Sequence, residues 1–544
     1  MTPCYFHPTL TRSVFDFRIR LAEKRLTATY PTDNLDFLMI DLEHPKGRFR
    51  HAHQCTTDLT GRTVEFLAEA HSVLQDPDDT FLDALYHRMM LQGNYHGFTR
   101  RYFPYLKYKN DPEAFRTIKD QIDTWAAEYE RDPSAMLRYG NTCCCYVEGL
   151  ADLYELTGDR RYVEMAKPIS EASLTPFEGA HAHGLLCVLR AILKMARYSG
   201  DPWFTEKVRP YRDLILQNQY ADGSVAEAFP RSHRNEGCSI GDWIMMNLRW
   251  YDVTGDENAL DTAEHSMLNA LFFNQFITGG FGHRNYEPNG YSTEIEEAWW
   301  CCTQTGGIAL CEYAEHAVAL IGDEIRILYP VPGVYRLNDA DGRQITVTLN
   351  SEYPALYRIS LTVDGAKDKK VSFRTPYYVK NVRVTEHRAV AAPDRRTFLL
   401  EGDIGHYVEQ RDGGYVVKYG GLMLAPMIYS WGETEGPSFD EAEANVPAGY
   451  IHERIAGCDL SILEEEHDEN GFLKIAAGYD LPEWLAFDDG VGSRTGTFNR
   501  AAANVTLIGK DGTRHRVCFH PMCYATSNLT LCHTPMKFGY LMRI

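Results

Sequence analysis

Three times in its first half the chain repeats one sentence: a helical pattern, then Thr/Ser-Gly-Asp, then a second helical pattern. The copies are YELTGDRRYVEMA (Tyr154 to Ala166), ARYSGDPWFTEKV (Ala196 to Val208) and YDVTGDENALDTA (Tyr251 to Ala263). In each, the glycine can take the left-handed conformation that ends one helix, and the aspartate can cap the next. LQDPDDTFLDAL (Leu74 to Leu85) reads as a degenerate copy without the glycine. The glycines stand at 158, 200 and 255, so each repeat is one helical hairpin, with a long insertion before the last. Such hairpins stack into an open solenoid or close into an (α/α) toroid. Unequal spacing and long loops favour the toroid, whose loops gather at one mouth.

After about Ile321 the period changes from helical to two. RQITVTLN alternates Ile345, Val347 and Leu349; LYRISLTV alternates Tyr357, Ile359, Leu361 and Val363. The pattern continues through VSFRT, NVRVT and GGYVVKYGGLMLAPM among Gly, Pro and Asp turns. The expected order is therefore α then antiparallel β: a helical barrel over 1–325, a β-sandwich over 326–430, and over 431–544 a second small β domain or a continuation of the sandwich. The tail carries an acidic loop, EEEHDEN, and a last hairpin turning at Asp511-Gly512.

No apolar run approaches the ~20 residues of a membrane helix. The first residues lack the basic-then-apolar order of a signal peptide, so a cytoplasmic location is expected. Acids outnumber bases 75 to 55, a net charge of −20 that repels nucleic acid and anionic membrane and suits an enzyme of neutral substrates. In a reducing compartment 14 cysteines signify burial, metal or catalysis rather than cross-links.

Two adjacent cysteines, Cys301 and Cys302, follow two tryptophans in EIEEAWWCCTQTGG. The insertion before the third repeat, DGSVAEAFPRSHRNEGCSIGDW (Asp222 to Trp243), offers Glu236 and Cys238. One oxygen and three sulfurs make a soft set suited to tetrahedral Zn²⁺. Spacing alone leaves the alternative open that the cysteines are small buried residues and Glu236 a surface acid.

Over about His181 to Ala319 the chain resembles the catalytic region of glycoside hydrolase family 127, the β-L-arabinofuranosidases. The matching features are HAHG (His181 to Gly184), EAF (Glu227 to Phe229), Glu236-x-Cys238, GDWIMMNLRWYDVTGD and WWCC. The resemblance implies an N-terminal (α/α)6 barrel followed by β-sandwich domains. It implies zinc held by Glu236, Cys238, Cys301 and Cys302, with Cys301 also the nucleophile and Glu227 the general acid/base. Hydrolysis would be retaining, on an oligosaccharide or glycoconjugate. His181 would contact a sugar hydroxyl; His183, His283 and Trp299 are further substrate-binding candidates, with Trp300 beside them. Glu294, Glu296 and Glu297 could each replace Glu227 as acid.

The adjacent pair then makes chemical sense. A free thiol titrates near ~8.5 and is mostly a poor nucleophile at neutral pH, whereas zinc coordination removes its proton. One cysteine can leave the metal and attack while its neighbour stays bound.

Two departures from the family point to a different sugar or linkage: Asn141 stands where the family has a histidine, and His283 where it tends to have a tyrosine. Glu227 also precedes Glu236 by a shorter loop. The competing readings are a toroid sugar epimerase or polysaccharide lyase, which needs no thiolate, and a carbohydrate-binding protein whose zinc is structural. The final β domain and aromatic-rich surface leave room for a homodimer without specifying one.

Overall fold

The structure, a computed structural model, describes residues 2–27, 58–91, 102–134, 144–276, 278–287, 290–298, 301–388, 394–411, 414–426, 458–459, 466–475, 501–509, 514–523 and 542–543. The repeated Gly-Asp phrase folds as its chemistry requires. Gly158, Gly200 and Gly255 take φ of 69°, 65° and 71°, and each donates its N–H to the carbonyl four residues back. The following aspartates cap the next helices: Asp159 accepts from the Arg161 N–H at 2.9 Å, Asp201 from Trp203 at 3.0 Å and Asp256 from Asn258 at 3.1 Å. The degenerate copy works the same way with different residues. Asp76 takes the left-handed position at φ 52°, and Asp78 accepts from the Thr80 N–H at 3.0 Å.

A further copy escapes a search for glycine. In YLKYKNDPEAF, Asn110 takes φ 52° and Asp111 caps helix Pro112–Arg131 through Glu113 and Ala114. Asparagine is the residue that best tolerates this conformation after glycine, so Asn-Asp reads as Gly-Asp.

The hairpins close into an (α/α)6 barrel. Inner helices are Asp58–Val73, Phe103–Lys109, Cys144–Thr157, Ala182–Ser199, Gly237–Thr254 and Cys302–Glu315. Outer helices are Val14–Thr27, Thr80–Leu91, Pro112–Arg131, Arg161–Ser173, Pro202–Asn218 and the run Glu257–His265, Ser266–Leu271, Phe272–Asn274, whose middle piece is a π-turn. Helix Cys302–Glu315 packs on Asp58–Val73, and Lys107 reaches Asp152 and Glu155 of helix Cys144–Thr157 at 3.2 and 2.8 Å, which completes the ring. Helix Gly237–Thr254 is buried on nearly every side, as an inner helix must be. No helix among the described residues is long and apolar enough to cross a membrane.

The β region begins earlier than its pattern suggests. Strands Val318–Ile321 and Glu324–Ile327 form a four-stranded sheet with Cys4–Tyr5 and Lys370–Phe373. Strand His7–Leu10 is the edge of a six-stranded sheet, beside Gly333–Asn338. The rings of Phe373 and Phe398 meet edge to face between the two sheets. The boundary drawn at residue 325 is thus corrected: the extreme N-terminus and the strands from Val318 belong to the sandwich. Strands this short carry too few alternations to reveal their period. A boundary at 430 also divides a sheet. Strands His406–Arg411, Gly414–Tyr419 and Leu422–Pro426 share a seven-stranded sheet with Ala503–Gly509 and Arg514–Pro521. Asn269, in the π-turn, fixes that sheet to the barrel by bonding the Gly421 carbonyl at 3.1 Å and the Met423 N–H at 2.7 Å. The Asp511-Gly512 turn lies outside the described residues.

Candidate metal and active site

Two helix starts converge at one mouth of the barrel. Strand Arg234–Glu236 ends at Glu236, which precedes helix Gly237–Thr254 in extended backbone, so Cys238 falls in the first turn. Cys301 occupies the same position before helix Cys302–Glu315. Unsatisfied N–H groups at helix starts favour negative charge, whether thiolate or carboxylate.

Two glycines let these helices touch. A Cβ on Gly237 would fall 3.0 Å from the Cys302 Cβ, and one on Gly241 would fall 2.9 Å from the Thr305 carbonyl oxygen. Any larger residue forces the helices apart. Gly241→Val is expected to destabilise the fold by about 1–3 kcal/mol, the cost of overpacking a filled core, and to lower bound metal. Thermal unfolding and metal analysis read both; wild-type values for both would show that the contact does not set the site.

The sulfurs of Cys238 and Cys302 stand 3.6 Å apart, and those of Cys302 and Cys301 3.8 Å apart. These are not disulfides, in which sulfurs bond at ~2.05 Å. Sulfurs held on zinc at ~2.3 Å in a tetrahedron lie about 3.8 Å from one another. All three sulfur atoms fall within 4.8 Å of one another, as do ligand atoms of Glu236, His283 and Cys302. Glu236 is 4% exposed, and its Oε1 is buried without a hydrogen-bond partner; its Oε2 lies 3.2 Å from the His283 Nε2. Three clustered thiols, with Cys302 at tetrahedral spacing from each of the other two, beside a buried carboxylate oxygen that makes no hydrogen bond fit a thiophilic metal ion such as zinc.

The thiols differ. Burial pushes Cys238 up and Cys302 well above the usual thiol range. Hydrogen bonds from those two thiols hold Cys301 well below it. Cys301 is also the partly exposed one, while Cys238 and Cys302 are 0% exposed. The cluster therefore presents its most acidic sulfur towards solvent. Burial disfavours a charged His283, but the hydrogen bond and charge of Glu236 outweigh it and raise the ring above the ordinary histidine range.

Around this cluster the loop 226–236 brings Glu227 to the mouth. Backbone bridges tie Ala226 to Asn235 and Ala228 to His181. Glu227 pairs with Arg234 at 3.3 Å, and ligand atoms of His181, Glu227 and Glu236 fall within 4.8 Å of one another. The His181 side chain is 53% exposed, with Nε2 3.5 Å from Glu236. His283 reaches the site because strand Gly282–Glu287 pairs with Arg234–Glu236, setting His283 directly opposite Glu236.

His183 has a different place from the one its motif suggests. Its Nδ1 is 2.5 Å from Asp242 and its Nε2 2.9 Å from Arg62, so both ring nitrogens are already engaged rather than offered to a sugar. Asp242, 0% exposed, also pairs with Arg190 at 3.0 Å and lies near the Cys187 sulfur. Burial raises the Asp242 carboxyl to about 6. Sequence reading passed over Arg62, Cys187 and Asp242. The available signal was Asp242 itself, a carboxylate between Ile240 and Trp243 in the helix that follows Cys238. Glu297 pairs with Arg25 at 2.6 Å, which removes it as a free acid. Trp299, Trp300 and Asn141 lie outside the described residues, as do the side chains of Glu294 and Glu296.

No protein-family model and no curated protein matches this chain. Solved structures do. A β-arabinofuranosidase of glycoside hydrolase family 127 is similar over 100% of this chain and 98% of its own, at 14% identity and a TM-score of 0.64. A protein described as a glycoside hydrolase is similar over 100% and 97%, at 13% identity and 0.67. A family 127 β-L-arabinofuranosidase from Geobacillus stearothermophilus T6 is similar over 98% and 99%, at 11% identity and 0.66. At these identities the likeness establishes the fold, a barrel with appended β domains shared from end to end.

Proposed function

We propose that this chain is a retaining glycoside hydrolase of the family 127 kind, acting on β-L-arabinofuranosides or a closely related sugar. Cys301 is the nucleophile, Glu227 the general acid/base, and Glu236, Cys238, Cys301 and Cys302 hold Zn²⁺. The reading is carried by three clustered sulfurs, with Cys302 at tetrahedral spacing from the other two, of which Cys301 alone is partly exposed. End-to-end likeness to two solved β-arabinofuranosidases supports it.

Bound zinc would lower the thiol pKa values and hold the sulfurs as thiolates. The protein's own groups then divide the work. Cys301 Sγ forms a bond to the anomeric carbon as the glycosidic C–O bond breaks, and Glu227 gives its proton to the departing oxygen. Water next attacks the same carbon, Glu227 takes up a proton from it, and the C–S bond breaks. Two inversions return the starting configuration. Cys238 and Cys302 are buried and stay with Glu236, so the cluster keeps its shape while Cys301 reacts. Arg234 positions Glu227, and His181 and His283 flank the space above the thiols.

Glu227→Gln is expected to slow hydrolysis of an unactivated disaccharide by about 10²–10⁴-fold, the usual contribution of a general acid/base. An aryl glycoside that needs no protonation should suffer less, and added azide should restore turnover by replacing water. Wild-type rates on the disaccharide would remove Glu227 from the mechanism. A panel of furanosides and pyranosides of both anomers identifies the sugar; His283, opposite Glu236, is the residue expected to shape that choice.

A further inference from the structure

The inner ring encloses a second polar chamber, far from the thiols. It is a cavity of about 360 Å³ near the C-terminal ends of the inner helices, with His7 and His316 in its wall. Glu312 lines it ten residues beyond Cys302 on the same helix, so roughly 15 Å separates the two along the axis. A volume of this size suits a small molecule.

The wall is rich in both acids and bases. Carboxylates of Glu65, Glu69, Glu148, Asp152, Glu312 and Glu315 face Lys107, Lys194, Arg197 and Arg249. Each of those cations is already paired. Lys107 is bound by Glu155 at 2.8 Å, Lys194 by Asp152 at 2.8 Å, Arg197 by Asp252 at 2.9 Å, and Arg249 by Glu148 at 2.9 Å and Glu312 at 2.6 Å. Three acids keep unmatched oxygens. Glu312 is only 8% exposed, yet its Oε2 is buried without a hydrogen-bond partner, as is the Oε2 of Glu69. The Glu315 side chain has no ion pair or hydrogen bond among the described residues.

Which cation would match them follows from their spread. No three acids of this chamber are close enough, among the described residues, to share one metal ion. A single charged atom therefore reaches at most two of them, and a molecule with a second donor some ångströms away reaches the third. Phe103, Tyr108 and Tyr198 in the same wall add aromatic faces that attract an ammonium group.

We propose that this chamber binds a small organic cation whose primary ammonium group donates to two of Glu69, Glu312 and Glu315 and whose second amino or hydroxyl group donates to the third. The site is independent of the thiol chemistry at the other end of the barrel. Burial beside Glu312, Glu315 and Glu65 pushes Glu69 well above the carboxylate range, and burial beside Glu312 brings Glu315 to about 7. A bound ammonium group would relieve that repulsion.

Calorimetry and thermal unfolding of the full chain test this with three ammonium probes: 1,4-diaminobutane, ethanolamine and trans-4-aminocyclohexanol. Each is compared with its neutral counterpart: 1,4-butanediol, 1,2-ethanediol and 1,4-cyclohexanediol. At least one ammonium probe should bind saturably at one site, and its counterpart at least about tenfold more weakly, the factor expected of one charge-assisted hydrogen bond. Glu69→Gln and Glu315→Gln should each weaken that probe by a similar factor, while Cys301→Ala leaves it unchanged. Failure of all three probes, equal binding of the neutral counterparts, or wild-type affinity in both glutamine variants overturns the proposal. The probe-against-counterpart comparison uses the unaltered chain, so it stands even if a variant fails to fold.

Discussion

Cys301→Ala should lose at least ~10⁴-fold in turnover while keeping its fold and much of its metal. Removing the nucleophile of a two-step mechanism leaves only binding and electrostatic assistance, so losses of this order are the rule. The structure adds the second half of the expectation. Cys301 is the partly exposed member of the cluster, and the other proposed ligands, Glu236, Cys238 and Cys302, remain without it. Steady-state rates, metal content and thermal unfolding on one preparation check both halves. Substantial turnover by the alanine variant would end the nucleophile assignment.

Cys302→Ala should fail in the opposite order. Cys302 is fully buried and its sulfur lies within 3.8 Å of both other thiols, so it stands at the centre of the cluster. Removing an outer partner of a metal ligand already costs up to about 100-fold in affinity, and loss of a direct ligand is expected to exceed that. The variant should purify with little zinc, unfold at lower temperature and turn over poorly for that reason. Excess zinc should restore part of its activity, whereas Cys301→Ala gains nothing from added metal. Equal metal content in wild type and Cys302→Ala would show that this thiol is only core packing.

The helical half was legible because its turns are written in local chemistry. A left-handed glycine and a capping aspartate act within four residues, and the same phrase marks Gly158, Gly200 and Gly255. Asn110 and Asp76 make the same turn with residues that a search for glycine overlooks. The sandwich was legible only where strands were long enough to show alternation. Strands Cys4–Tyr5 and Val318–Ile321 are defined by partners across the chain rather than by their own period. The same distinction divides the site. Adjacent cysteines and Glu-x-Cys stand out in the sequence, and the family resemblance joined them. The pairing of His183 with Asp242 and Arg62, and of Glu227 with Arg234, depends on how inner helices and a returning loop lie side by side. Nothing in the spacing of those residues announces it.

Reaction with a β-L-arabinofuranose derivative bearing an alkylating group at the anomeric position tests the central claim most directly. Proteolysis and mass spectrometry would then locate the label. The account predicts one modified residue, Cys301, with labelling blocked by free sugar and absent in Cys301→Ala. A label on Glu227, on Cys238 or Cys302, or on no residue of a metal-loaded protein would contradict it.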